Sequence, residues 1–256
     1  MFKNKYDKEG LIIKEINNKN IIDDVKIIIN NFFSKDINYY NSLSKEEFQK
    51  IAVECQNEVN KLEVQKKFYL SERNVFDELF FNEDLLHESV VFLRAVRPSK
   101  NSKNIEHPDM HRETFYSDHS HTPYVLNLWI PIKDVNSKNT LKYVPKSHLI
   151  ADENIKTEID KDWPGTVKKH SNGHKLGFFW MPKKIIEGVD LKSTTNMEFS
   201  NYEYALFSSM LIHGGAENNS DKIRFAIGFG LVPSNKLIQN KTFFASGGKN
   251  HYIKFN

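Results

Sequence analysis

Between residues 45 and 66 apolar side chains recur at steps of three and four, at Phe48, Ile51, Ala52, Cys55, Val59 and Leu62, which puts them on one face of a helix. Ser44 and Glu47 form a capping-box signature, in which each side chain satisfies the other's free backbone N–H, and this sets the helix start. The same spacing predicts a helix over 21–33, and another through Val75, Phe76, Leu79 and Phe80 ahead of the acidic Asn82-Glu83-Asp84. From Ser89 the pattern changes to short β-type runs at 90–96, 124–132, 141–144, 176–181, 204–208 and 223–232, separated by Pro, Gly and Asn. Such a sequence predicts a helical shell packed on an antiparallel β-sandwich or barrel. The stretch 150–175 has no periodicity and is long for a plain connection, so it is expected to be an insertion over a site mouth.

The length of 256 residues, with 39% hydrophobic and 27% charged residues, suits a folded core and excludes disorder as the main state. We expect one domain over 1–256, with 1–86 the mainly helical part and 87–256 the catalytic core. Lys and Arg number 36 against 33 Asp and Glu, and no basic block marks a nucleic-acid footprint. No apolar run approaches the ~20 residues of a membrane span. The first apolar cluster, Leu11-Ile12-Ile13, is broken at once by Lys14 and Glu15, so no secretory leader is expected and the protein is expected in the cytoplasm. The single Cys55 excludes a Cys-x-x-Cys metal or redox site and reads as core.

The chemistry concentrates in residues 107–121, where His107, His111, His119 and His121 lie among Asp109, Glu113 and Asp118. A His and an acid two positions apart on a strand project from one face and can chelate one metal. Two such pairs are present, His107/Asp109 and His111/Glu113. A third ligand must come from elsewhere, and His213, after the apolar run 206–212, is the best candidate. Two His and one carboxylate form the facial triad of non-haem Fe(II), with adjacent positions left open. Eleven residues on, Arg224 sits alone in an apolar strand expected to pair with the His213 strand through the 214–221 turn. Its planar fork suits a carboxylate bidentately, and a dicarboxylic acid such as 2-oxoglutarate would bridge it to the metal.

The order His111-Arg112-Glu113, the Trp129 strand Asn127-Leu128-Trp129-Ile130-Pro131, the block ending Pro145-Lys146-Ser147-His148, and His213 with Arg224 resembles the phytanoyl-CoA dioxygenase-like (PhyH) family. The resemblance spans roughly residues 92–232. It implies a mostly β fold with N-terminal helices, a double-stranded β-helix (jelly roll, cupin-like) core inside a helical shell. It also implies Fe(II), 2-oxoglutarate and O2 as cofactor and co-substrates, with hydroxylation of a small molecule and release of succinate and CO2. His111, Glu113 and His213 would hold the metal, and Arg224 and Asn127 would bind 2-oxoglutarate. The spacing to the Trp129 strand favours His111/Glu113 over His107/Asp109. Two departures stand out: Glu113 replaces the usual Asp, and Lys146 replaces the Gly of Pro-Gly-Ser-His. A carboxylate at 113 argues against halogenation.

Structural alternatives weighed beside these roles are an ion pair of Arg224 with Glu217, a turn-stabilising His148, and sheet packing for Asn127. Tyr116, His119, His121, Arg94 and Arg97 are weaker candidates for contact with substrate. The rival functions are a cupin-like metal-dependent isomerase or hydrolase that needs no oxo acid, and a non-catalytic binding relative. A nucleic-acid demethylase is disfavoured by the balanced charge, so the expected partner is a small molecule, with no nucleic acid or membrane. The sequence does not fix the oligomeric state.

Overall fold

The computed structural model describes residues 1–99, 106, 109–117, 120–237 and 252–255; His107 and His119 lie outside them. The first part holds helices α1 (Phe2–Glu9), α2 (Asn20–Phe32), α3 (Ile37–Ser42), α4 (Lys45–Asn60), α5 (Val64–Ser71) and α6 (Arg73–Phe80), with strand β1 (Leu11–Glu15) between the first two. Then come β2 (Leu85–Glu88), β3 (Phe92–Val96), β4 (Leu126–Lys133), β5 (Leu141–Tyr143), β6 (Lys156–Ile159), the short helix α7 (Asn172–Lys175), β7 (Lys183–Glu187), β8 (Thr195–Asn196), β9 (Glu203–Ser208), β10 (His213–Gly215), β11 (Arg224–Pro233) and β12 (Tyr252–Lys254). No helix among the described residues is long and apolar enough to cross a membrane.

The capping box at Ser44 and Glu47 forms as expected, and Phe48, Ala52, Cys55 and Val59 bury one face of α4. The continuous helix expected to residue 66 is broken instead. Glu63 turns into the left-handed region at φ 52° and starts α5, which buries Val64 and Phe68 from a new direction.

The larger sheet runs β1-β9-β4-β11-β2-β12, with β3 also paired to β11, and the smaller runs β10-β5-β8. Pairing is antiparallel throughout. Side chains alternate across a strand, and that alternation divides the large sheet. Leu93 and Ala95 of β3, Leu126, Leu128 and Ile130 of β4, and Phe225, Ile227 and Phe229 of β11 pack with α2, α4 and α5 in one apolar cluster. The alternate positions Arg94, Asn127, Trp129 and Arg224 line a cavity on the other side, closed by His213 and Gly214 of the small sheet. The β4–β11 ladder slips by one residue between Phe225 and Ala226, opposite Pro131, which has no N–H to donate.

Two expectations for the strands also fail. The segment 176–181 is a loop, not a strand: Leu176 and Phe178 donate back to Gly173 (3.2 and 3.0 Å), and Gly177 takes φ +78°. The His213 strand pairs with β5, not with the Arg224 strand. The intervening turn is held away from a hairpin, because Ala216 donates to Thr140 (3.1 Å) while the Asn218 amide donates to the Val96 carbonyl (2.8 Å).

The 150–175 stretch is anchored on the helical layer. Lys45 Nζ donates to the Pro164 carbonyl (3.1 Å) and Gln56 to that of Lys175 (3.1 Å), while β6 pairs with β7. The residues that reach the cavity are Gly177, Phe178 and Phe179, just beyond it.

Candidate metal centre and its cavity

His111 and His213 exchange both backbone hydrogen bonds, each N–H donating to the other's carbonyl at 2.8 Å. This isolated antiparallel bridge sets the two rings side by side, with centroids 4.5 Å apart. Glu113 does not share a strand with His111. The chain turns into a 3-10 helix over Glu113–Phe115, and the Glu113 N–H donates to Ser209 (3.0 Å). The carboxylate nevertheless arrives at the imidazoles: Oε1 lies 4.0 Å from His111 Nε2 and 3.8 Å from His213 Nε2. One ligand atom from each residue falls within 4.8 Å of the others.

The donor chemistry fits a metal ion. His111 Nδ1 meets the Asp109 carbonyl at 2.6 Å, and His213 Nδ1 meets that of Leu211 at 2.9 Å. A ring nitrogen facing a carbonyl must carry the proton, so each Nε2 presents its lone pair toward Glu113. Burial keeps both imidazoles neutral, lowering their pKa values to about 4. Burial also pushes the Glu113 carboxyl up, against the pull of His213, the mark of a carboxylate held without a full counter-charge. His111 packs edge-on against Phe179 (4.9 Å), itself stacked on Tyr116 (3.8 Å), and the Tyr116 hydroxyl accepts from the Lys183 N–H. Tyr116 therefore backs Phe179, and Phe179, which lines the cavity, is a site residue that the sequence pattern could not single out.

Arg112, between the two ligands, is a residue the sequence reading passed over. Fully buried, it donates to Ser147 O (2.7 Å), Ile150 O (2.8 Å) and Asp152 (2.8 Å), tying 147–152 beneath the site. Lys146 adopts φ 59°, the left-handed conformation that explains why Gly is usual there. Ser147 Oγ accepts from Ile212 N (2.8 Å), next to His213, and His148 Nε2 donates to the Asp7 carbonyl (3.1 Å), a structural contact.

The cavity beside the cluster has a volume of about 270 Å3. Arg224, 2% exposed, reaches it from β11; its Nε has no hydrogen-bond partner, and burial lowers its pKa to about 9. The alternative partner, Glu217, is exposed and makes no ion pair with it. Its guanidinium lies 5.8 Å from the Trp129 ring centre. Asn127 donates to Glu113 Oε1 (3.4 Å), so its amide steadies the carboxylate as well as lining the cavity. His121 is buried, edge-on to Tyr252 (5.4 Å).

Arg94 and Arg97 separate sharply. Arg97 is consumed by the fold: it pairs with buried Glu106 (2.6 Å) and donates to the Tyr40 and Leu43 carbonyls. Arg94 lines the cavity.

A search of curated protein sequences finds no match. Among solved structures, the chain is similar to EvdO2 from Micromonospora carbonacea var. aurantiaca complexed with 2-oxoglutarate (TM-score 0.60, 10% identity, 91% of this chain and 89% of that one). It is also similar to the epimerase SnoN in complex with Fe3+, alpha ketoglutarate and nogalamycin RO (TM-score 0.55, 11% identity, 99% and 92%). A third similar structure is AviO1 from Streptomyces viridochromogenes (TM-score 0.55, 12% identity, 90% and 93%). At these identities the likeness is one of fold, the jelly roll with its helical side. The sequence carries the descent itself: the family model for phytanoyl-CoA dioxygenase (PhyH) matches residues 56–226, from α4 to the strand that bears Arg224, and the chain belongs to that family.

Proposed function

We propose that this protein is an Fe(II)- and 2-oxoglutarate-dependent oxygenase that hydroxylates a small molecule, releasing succinate and CO2. The observation that carries the reading is one cavity holding both halves of the requirement: two neutral imidazoles converging with a carboxylate, and a buried arginine without an acid. His111, Glu113 and His213 would hold the metal, leaving adjacent positions free for a chelating oxo acid and O2. Bound there, iron and 2-oxoglutarate supply the oxidising chemistry. The chain's own contribution is positional. Carbonyls of Asp109 and Leu211 fix the imidazole tautomers, Asn127 orients Glu113 and offers an amide to the oxo-acid end, and Arg224 receives the distal carboxylate. Phe178, Phe179, Trp129 and Phe207 keep the cavity wall apolar, which strengthens each charge contact inside it.

The test is anaerobic titration of Fe(II)-loaded protein with 2-oxoglutarate, following the weak visible band of the chelate. The band is expected in wild type, weakened in Arg224→Ala and absent in Glu113→Ala, with both variants folded. Iron binding without a band would turn the assignment to a metal-dependent isomerase or hydrolase. Normal turnover in Glu113→Ala would refute the metal site.

A further inference from the structure

Arg94 and Arg224 stand on the same face of the large sheet. Arg94 lies opposite Ala226 and Arg224 opposite Val96, so the two are diagonal neighbours on adjacent strands. They repel each other, and among the described residues neither makes an ion pair, although Glu113 and Glu88, which line the same cavity, attract Arg94 from a distance. A part-buried cation with no ion-pair partner in contact is costly, yet the fold holds Arg94 in place. Its Nη1 donates to the Leu176 carbonyl. Phe92 and Phe178 flank the guanidinium, at 5.4 and 5.7 Å from their ring centres. Gly177, at φ +78°, leaves it room, since a Cβ there would stand 2.8 Å from Nη1.

An arginine held in a cavity wall by a carbonyl and two rings, with no ion pair of its own, suits an anion that arrives with a ligand. Arg224 and the metal cluster together account for both ends of 2-oxoglutarate. Arg94 lines the same cavity as His111, Glu113 and His213. The Arg94 charge therefore faces the cavity in which a C–H bond must be presented.

We propose that Arg94 is the carboxylate anchor of the primary substrate, which is therefore a small carboxylic acid with an apolar body suited to Phe92, Phe178 and Phe179. This deepens the oxygenase reading and rests on it. The cavity must also receive 2-oxoglutarate, so the room beside Arg94 suits a compact acid. Arg94 thus acts as a specificity residue.

The test uses calorimetry on the Fe(II)- and 2-oxoglutarate-loaded protein, without oxygen, with two matched pairs of probes: 3-phenylpropanoate against 3-phenylpropanamide, and hexanoate against hexanamide. At least one acid is expected to bind tenfold or more tightly than its amide. Arg94→Gln should abolish that preference, and Arg94→Lys should restore part of it. Affinity for 2-oxoglutarate should stay within threefold in Arg94→Gln while falling tenfold or more in Arg224→Gln. The melting temperature of Arg94→Gln should stay close to that of wild type, because no ion pair is broken. Acids that bind wild type no better than their amides would overturn the proposal. So would an Arg94→Gln defect in 2-oxoglutarate binding equal to that of Arg224→Gln, which would make Arg94 a co-substrate ligand. If wild type binds no 2-oxoglutarate but still prefers acids through Arg94, the oxygenase reading falls and the carboxylate site stands.

Discussion

Arg97→Met should be among the most destabilising single changes outside the apolar core. The Arg97 guanidinium and the Glu106 carboxylate are sealed together, with side-chain exposures of 0% and 1%. Three hydrogen bonds join them, from the Arg97 backbone N–H (2.9 Å), Nε (2.9 Å) and Nη2 (2.6 Å). Nη1 serves the Tyr40 and Leu43 carbonyls at the end of α3 (2.9 and 2.8 Å), and the guanidinium lies 4.4 Å from the Phe48 ring centre. Methionine keeps much of the packing but leaves a buried carboxylate with no guanidinium. Breaking such a pair from one side costs about 3–5 kcal/mol, where replacing both members is far cheaper.

The cost must also depend on pH. Burial already holds the Glu106 carboxyl above its ordinary range, and without Arg97 it rises further. A carboxyl whose folded pKa exceeds its unfolded value binds the extra proton in the folded state, so the variant loses stability as pH rises from the unfolded value toward the folded one. The limit is about 1.4 kcal/mol per pH unit for one proton. Urea unfolding of wild type and Arg97→Met at pH 8 and pH 5.5 measures this directly, with the larger difference expected at pH 8. Adding Glu106→Gln should recover on the order of 0.5–3 kcal/mol. A loss under about 1 kcal/mol at pH 8, or an equal loss at both pH values, would refute the sealed pair.

Arg224→Met should behave in the opposite way. No acid is orphaned by it, so the melting temperature should hold or rise even as 2-oxoglutarate binding is lost; a clear fall would assign the arginine to structure. Gly177→Ala forces an L residue to φ +78°, a strain of about 1 kcal/mol, and drives its Cβ into Arg94. It should lower the melting temperature and weaken acid binding together, and an unchanged calorimetric titration would separate Gly177 from Arg94. Cys55 is fully buried and its thiol pKa is pushed up to about 12, so native protein should resist thiol reagents at pH 8 until urea unfolds it. Rapid labelling of the native state would contradict the packing of α4.

What the sequence made legible is what local rules govern. The α4 cap and face follow from a capping box and a 3.6-residue period. The cavity side of Asn127 and Trp129 follows from alternation along β4. Partnership between distant segments was the harder part. His111 and Glu113 were expected to meet a metal because they share a strand face, and they converge for another reason. His111 is held by a reciprocal bridge to His213, and Glu113 swings in from a 3-10 turn. Nothing in the spacing of His213 and Arg224 reveals that they belong to different sheets, since a hairpin of that length was equally sound until Thr140 and Val96 claimed the turn.

The two early arginines carry the same lesson into function. Arg94, in the middle of β3, and Arg97, just past its end, are three residues apart and look alike in the sequence. Arg97 meets Glu106, an acid among the histidine-rich residues that follow, and becomes part of the structure. Arg94 meets a carbonyl, two rings and a cavity. Whether a charge belongs to the fold or to a ligand depends on which partner the folded chain delivers to it. The charged positions delivered no ion pair are therefore where the chemistry of an unknown substrate is written.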